Sequence, residues 1–181
     1  TPTIARFAAA YPRVEISIRC ELSKHIEPEV DRGHIDVALL TRDSTRPTGE
    51  LIKREKLLWL AARGYRPERN SPLPLALFPT GCRVRPHIAS SLDKAGLSWR
   101  VACTSSSQGG IHAAIETGLC ITALPECAAP PDWRRLGPGE GLPPLPDIEV
   151  ALFLAPAASS ASRRLADMLR AALAMPVVEA A

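Results

Sequence analysis

The sequence is 181 residues long, a length for one domain or two small lobes rather than a multidomain enzyme. Leu, Ile, Val and Phe make up about 24% of it, above the roughly 20% below which chains tend to be disordered. The 22 basic and 19 acidic residues leave a net charge of +3, with no run of about five or six like charges, so direct DNA binding by this chain is not indicated. The longest apolar stretch, Leu57–Ala62, falls far short of the roughly 20 residues that span a bilayer. The N-terminus lacks the charged, apolar and small-residue succession of a secretion signal, which makes the cytoplasm the expected compartment.

In chain order, Thr3–Ala10 combines good helix formers with Ile4, Phe7 and Ala8 on one side, and Tyr11-Pro12 ends it because proline disfavours helix at the residue before it. Val14, Ile16 and Ile18 alternate with Glu15, Ser17 and Arg19, the period of a half-buried strand. Ser23 is placed to cap a helix carrying Ile26 and Val30, which Gly33 stops in a left-handed conformation. Ile35–Leu40 reads as a buried strand, and strand, helix, strand over Val14–Leu40 predicts a right-handed crossover with parallel pairing. Leu51–Ala62 reads as one long strand.

A composition break at Arg66-Pro67, Pro72 and Pro74 precedes a second cycle. It comprises strand Leu73–Phe78, loop Pro79–Cys82, a helix to about Ala95 stopped by Gly96, strand Trp99–Cys103, turn Thr104–Ser107, a helix through Ile111, Ala114 and Ile115, and strand Cys120–Leu124. Leu136–Pro146, rich in glycine and proline, reads as a loop. Strand Ile148–Ala155 follows, then a helix capped by Ser159 or Ser160 with Leu165, Met168, Leu169, Ala172 and Leu173 on one face. These last two elements lack a partner in sequence, so they are expected to return to the first lobe. The reading is an α/β chain of two lobes, each a mainly parallel sheet flanked by helices, with residues 1–60 and 148–181 in lobe I and 61–147 in lobe II.

Three stretches resemble the effector-binding domain of LysR-type transcriptional regulators. They are Phe7-Ala8-Ala9-Ala10-Tyr11-Pro12-Arg13-Val14, then Arg32-Gly33-His34-Ile35-Asp36-Val37-Ala38-Leu39, then Ala114-Ile115-Glu116-Thr117-Gly118-Leu119-Cys120-Ile121-Thr122-Ala123-Leu124-Pro125, and they occur in the family's order and spacing. The resemblance covers essentially the whole chain. Leu58-Trp59 and Pro74–Pro79 are most similar to members that control motility and exoenzyme genes. It implies a periplasmic-binding-protein-like fold of type 2 with an interlobe cleft. The family's winged helix-turn-helix, its linker helix, and the domain's own first strand with the loop after it have no counterpart in these residues. DNA is therefore expected to be contacted only through a domain absent from this chain.

In open parallel sheets, ligands bind at the carboxyl ends of strands, where helix N-termini offer unpaired N–H groups and a positive dipole end. Four places qualify: Cys20 to Ser23 after the first strand, Thr41 after the second, Pro79, Thr80, Gly81 and Cys82 in the second lobe, and Ser105, Ser106 and Ser107 after the next strand. Small hydroxyls there either cap a helix or hold a carboxylate, so a small acidic effector is expected. Cys82 lies beside Arg83 and Arg85, the setting of a reactive thiol. A reactive cysteine of peroxide-sensing members resembles it, but the resolving position nine residues on is Ser91, so a ligand-lining or structural role ranks above redox sensing. Cys103, Cys120 and Cys127 read as buried small residues, Asp36 as a residue that orders its turn, and His25, His34, His87 and His112 as surface residues.

Five cysteines without a CxxC pair exclude a disulfide framework, and no cofactor or metal is expected. There is no G-x-S-x-G elbow and no phosphate loop in a strand-to-helix setting, so no enzyme activity is expected. The leading reading is a sensor that binds a small metabolite and shifts the arrangement of a promoter-bound oligomer. The alternative is the solute-binding protein of a transporter, which shares the two-lobed architecture. The resemblance implies a homodimer or homotetramer, without a membrane, in which Ile4, Phe7 and the strand Val14, Ile16, Ile18 of one copy meet the second lobe of another.

Overall fold

A computed structural model describes residues 2–66 and 71–174. In chain order the elements are α1 (Pro2–Ala10), α2 (Ser23–Asp31), β1 (Val37–Thr41), β2 (Glu50–Glu55), β3 (Leu57–Ala61), β4 (Leu73–Leu77), α3 (Arg85–Lys94), β5 (Trp99–Thr104), α4 (Gln108–Glu116), β6 (Ile121–Pro125), β7 (Arg134–Leu136), β8 (Ile148–Leu154) and α5 (Ser160–Ala174). The chain divides into two units: residues up to Arg54 with those from Glu149 onward, and Glu55–Ile148. The stretch expected to be one long strand breaks at Lys56 into β2 and β3, which belong to different sheets. Residues 55–60 therefore fold with the second lobe rather than the first.

In the first unit, the sheet order is β1-β8-β2, and β1 pairs with β8 antiparallel, Val37 opposite Leu154 and Thr41 opposite Val150. Ala38 and Leu40 bury one face against Ile26 and Val30 of α2 and Phe153 of β8. Gly33, at φ 77°, ends α2 as expected, because only a residue without Cβ takes that conformation cheaply. Ser23 is instead the first helical residue; the cap position is Leu22, which has no side-chain hydrogen bond to offer. Phe7 of α1 is buried and stacks on Tyr11 at 4.8 Å.

Val14–Ile18 is not a strand. The segment joins no ladder, and Val14 and Ile18 are 37% and 64% exposed. Alternation alone does not make a strand, since a strand needs a neighbour to receive its backbone hydrogen bonds. The predicted crossover over Val14–Leu40 is therefore not formed: in this sheet β1 pairs antiparallel with β8, and the second unit combines parallel and antiparallel pairs.

The second unit is a five-stranded sheet of order β5-β4-β6-β3-β7. β4 pairs parallel with both β5 and β6, so β4-α3-β5 and β5-α4-β6 are the two expected crossovers; β3 pairs antiparallel with β6 and β7. Side chains alternate across the sheet. Trp59, Leu73, Leu75, Leu77, Ile121 and Ala123 pack against Ile88 and Leu92 of α3. Leu60, Ala76 and Leu124 pack against Ile111 and Ile115 of α4. β7 lies at the start of the expected Leu136–Pro146 loop, which is anchored where the Trp59 indole N–H donates to the Pro143 carbonyl at 2.8 Å.

Two substitutions test this packing. Gly49 has φ 75°, and a Cβ there would lie 2.6 Å from the Phe153 ring, so Gly49→Ala is expected to lower unfolding free energy by more than about 1 kcal/mol in urea denaturation. The Tyr65 hydroxyl is buried without a partner among the described residues, and its burial raises its pKa. Removing an unsatisfied polar atom costs nothing, so Tyr65→Phe is expected to leave the thermal midpoint unchanged or raise it.

Candidate functional site

Parallel pairing brings the loops after β4 and β5 to one end of the second sheet, because Leu77 and Thr104, the last residues of the two strands, are in register. The first loop is a tight turn in which the Cys82 amide donates to the Pro79 carbonyl at 3.1 Å. Gly81 takes φ 97° within it. Arg85 Nη1 donates to the Phe78 carbonyl at 3.0 Å, tying α3 to the end of its preceding strand. Cys82 precedes the helix by three residues rather than occupying its N-terminus, since α3 begins at Arg85 with Val84 in the cap position.

The second loop is held by its own serines. The Ser105 amide continues the ladder to the Leu77 carbonyl, and its hydroxyl donates to the Ser107 carbonyl at 3.1 Å. Ser107 caps α4, its Oγ accepting the Gly110 amide at 3.1 Å. Gly110 is required here: a Cβ on it would lie 2.1 Å from Ser105 Oγ. Ser105 and Ser107 are thus spent on shaping the loop. Ser106 is exposed and, with the amides of Gln108 and Gly109, has no hydrogen-bond partner among the described residues.

The same end of the sheet holds residues that sequence reasoning missed. β6 is parallel to β4, so the turn Glu126–Ala128 after it emerges on this side. Gln108 Nε2 donates to the Ala128 carbonyl at 3.4 Å and lies 3.3 Å from His112 Nε2. The half-buried His112 ring sits 4.7 Å from the buried Trp133 ring, so one side of this histidine is packed. The signal available was positional: β6 is the third parallel strand, so its carboxyl end lies at the same end of the sheet as those of β4 and β5. Cys127, expected to be buried, is exposed in that turn, its amide held by Glu55 Oε1 at 3.0 Å. Cys120 is buried as expected, and its burial, reinforced by Cys103, raises its pKa.

In the first unit, Cys20 is exposed in the segment before α2, Ser23 opens α2, and Thr41 ends β1. The next residue organises the loop beyond Thr41: Arg42 donates to the carbonyls of Pro47 and Thr48 and to Glu149 Oε2 at 2.9, 3.2 and 3.2 Å. Thr48 Oγ in turn donates to Glu27 of α2 at 2.5 Å. Asp36 accepts the Ser162 hydroxyl of α5 at 3.0 Å, so it fastens β1 to the last helix rather than ordering its own turn. Of the residues expected at an interface between copies, Val14 and Ile18 are exposed and Ile4 and Ile16 half-buried, while Phe7 is inside its own unit. Among the described residues, no cluster of three or more His, Cys, Asp or Glu is placed to hold a metal, and no helix is long and apolar enough to cross a membrane.

The LysR substrate binding domain model matches residues 1–174. The chain belongs to the LysR substrate-binding domain family. It is 29% identical over 177 residues to the HTH-type transcriptional regulator DgdR of Burkholderia cepacia, covering 96% of this chain and 60% of that regulator. The chain thus spans less than two thirds of its relative. In structure it is similar to the effector binding domain of QuiR in complex with shikimate, with a TM-score of 0.70, 14% identity and coverage of 95% and 88%. It is also similar to the Synechocystis PCC6803 CcmR regulatory domain in complex with 2-PG, with a TM-score of 0.72, 17% identity and coverage of 95% and 89%. Membership in this family of transcriptional regulators does not favour the transporter alternative.

The loop geometry carries its own test. Ser107→Ala removes the cap of α4 and is expected to destabilise the protein by about 1 kcal/mol, measured by chemical denaturation; Ser106→Ala, which breaks no described bond, is expected to change stability by less than about 0.5 kcal/mol.

Proposed function

We propose that this LysR substrate-binding domain senses a small acid, and that the Pro79–Cys82 and Ser105–Ser107 loops form part of the binding site. The observation that carries the reading is the convergence of both loops at the carboxyl ends of β4 and β5, where the amides of Gln108 and Gly109 and the Ser106 hydroxyl are left without partners. Unpaired amides at a helix N-terminus favour an anion. Thr80, Gly81 and Cys82 contribute from the neighbouring loop, and within the first unit, considered by itself, Cys20, Ser23 and Thr41 are proposed as effector-contacting residues. The effectors named for QuiR and CcmR support a small-molecule ligand.

In this reading the domain catalyses nothing and works in the cytoplasm. The ligand binds one arrangement of a homodimer or homotetramer more tightly than another and shifts the population between them. Ile4, Val14, Ile16 and Ile18 contribute to contact between copies. DNA is reached through a separate part of the regulator.

The test is a thermal-shift screen against small carboxylates, aromatic acids and sugars, with shikimate and 2-PG included, on the parent and on the Thr80→Ala, Ser106→Ala double variant. A ligand stabilises the state it binds, so an acid is expected to raise the parent midpoint by more than about 2 °C and to lose that effect in the double variant. Stabilisation by sugars alone, or by acids equally in both proteins, overturns the assignment.

A further inference from the structure

Arg42, Arg134 and Arg170 are half-buried, and each meets a carboxylate: Glu149 at 3.2 Å, Glu140 at 2.6 Å, and Glu50 with Asp167 at 2.8 and 2.6 Å. Arg85 is half-buried too, yet its one partner among the described residues is a neutral group, the Phe78 carbonyl, which Nη1 meets at 3.0 Å. A guanidinium carries five N–H donors and a permanent charge, and withdrawing that charge from water without an anion beside it is unfavourable. Arg85 is a cation still short of its counter-charge.

Its position in the second unit is fixed by that bond. Phe78 follows directly on β4, so the Arg85 guanidinium is held at the carboxyl end of that strand. The adjacent Leu77 carbonyl accepts the Ser105 amide at 3.2 Å, which puts the start of the Ser105–Ser107 loop at the same strand end. The two features come from opposite faces of the sheet. α3, which begins with Arg85, packs Ile88 and Leu92 on the face of Trp59 and Leu75, whereas α4, whose Gln108 and Gly109 amides are unpaired among the described residues, packs Ile111 and Ile115 on the face of Leu60 and Ala76.

We infer that the effector carries two anionic groups, one received by the Gln108 and Gly109 amides with the Ser106 hydroxyl, the other by Arg85. The inference rests on the acid site proposed above and names the class of acid it takes. The donor fork of a guanidinium matches the paired oxygens of a carboxylate or a phosphate, so the class is a small dicarboxylic or phosphorylated acid. Arg85 is then the residue that sets specificity. A monoanion bound at α4 leaves the guanidinium without a counter-charge, and a dianion supplies it. The bond to Phe78 orients the guanidinium before the ligand arrives, which lowers the ordering cost of binding.

Matched probes that differ by one charged group test this: succinate against its monoamide, and 3-phosphoglycerate against glycerate, each titrated calorimetrically into the chain up to about 20 mM. At least one dianion is expected to bind the parent more than about 10-fold tighter than its partner, and the pair that shows the preference tells a second carboxylate from a phosphate. Arg85→Gln is expected to shrink that ratio below about 3-fold, Arg85→Lys, which keeps the cation and loses the fork, to lie between, and Ser106→Ala to weaken both members of a pair alike. A preference absent from the parent, or unchanged in both Arg85 variants, overturns the inference. Monoanions and dianions that bind the parent equally and are lost together in the Thr80→Ala, Ser106→Ala double variant overturn it alone and leave the acid site standing, whereas no binding by any acid overturns both.

Discussion

Parallel pairing of β4 with both β5 and β6 is the constraint on which the second unit depends. Parallel neighbours cannot be joined by a tight turn, so each connection must cross over the sheet through a helix. With α3 and α4 on opposite faces, β4 is buried on both sides, which its uniformly apolar sequence Leu73-Pro74-Leu75-Ala76-Leu77 accommodates. The same geometry turns the carboxyl ends of three strands toward one edge. The loop that leaves β5 carries the Ser106 hydroxyl and the Gln108 and Gly109 amides, which have no partner among the described residues.

That placement separates two kinds of serine in one short loop. Ser105 and Ser107 build the turn and cap the helix, and Gly110 makes room for the Ser105 hydroxyl. Ser106 is left over, held in place by neighbours whose hydrogen bonds are satisfied. In the proposed site, a loop already ordered by its own hydrogen bonds would hold an anion with little further ordering cost.

The first unit is organised differently. Its sheet is small and begins with an antiparallel pair, and its loops are fastened by side chains rather than by crossovers. Arg42 gathers two loop carbonyls and Glu149, Glu149 also receives Arg54, and Asp36 receives Ser162. Three of these bonds, Arg42 to Glu149, Arg54 to Glu149 and Asp36 to Ser162, join residues more than ninety positions apart in sequence. They explain why the last strand and helix fold with the beginning of the chain.

The sequence by itself determined the helices, the glycines that stop them and the two crossovers of the second unit, because periodicity, caps and turn residues are local physics. Gly33, Gly96 and Gly118 adopt positive φ as their positions imply, and Ser159 caps α5 as its spacing before the apolar face implies. Only the tertiary structure decided the rest. The alternation of Val14, Ile16 and Ile18 was legible but had no ladder to join, and the break of Leu51–Ala62 at Lys56 followed from its two halves pairing in different sheets. Which serine is spare and that His112 is packed on Trp133 are facts about neighbours in the folded chain. A strand's identity depends on its partner and a hydroxyl's availability on whatever else is within 3 Å or so, and neither is written in the residue itself.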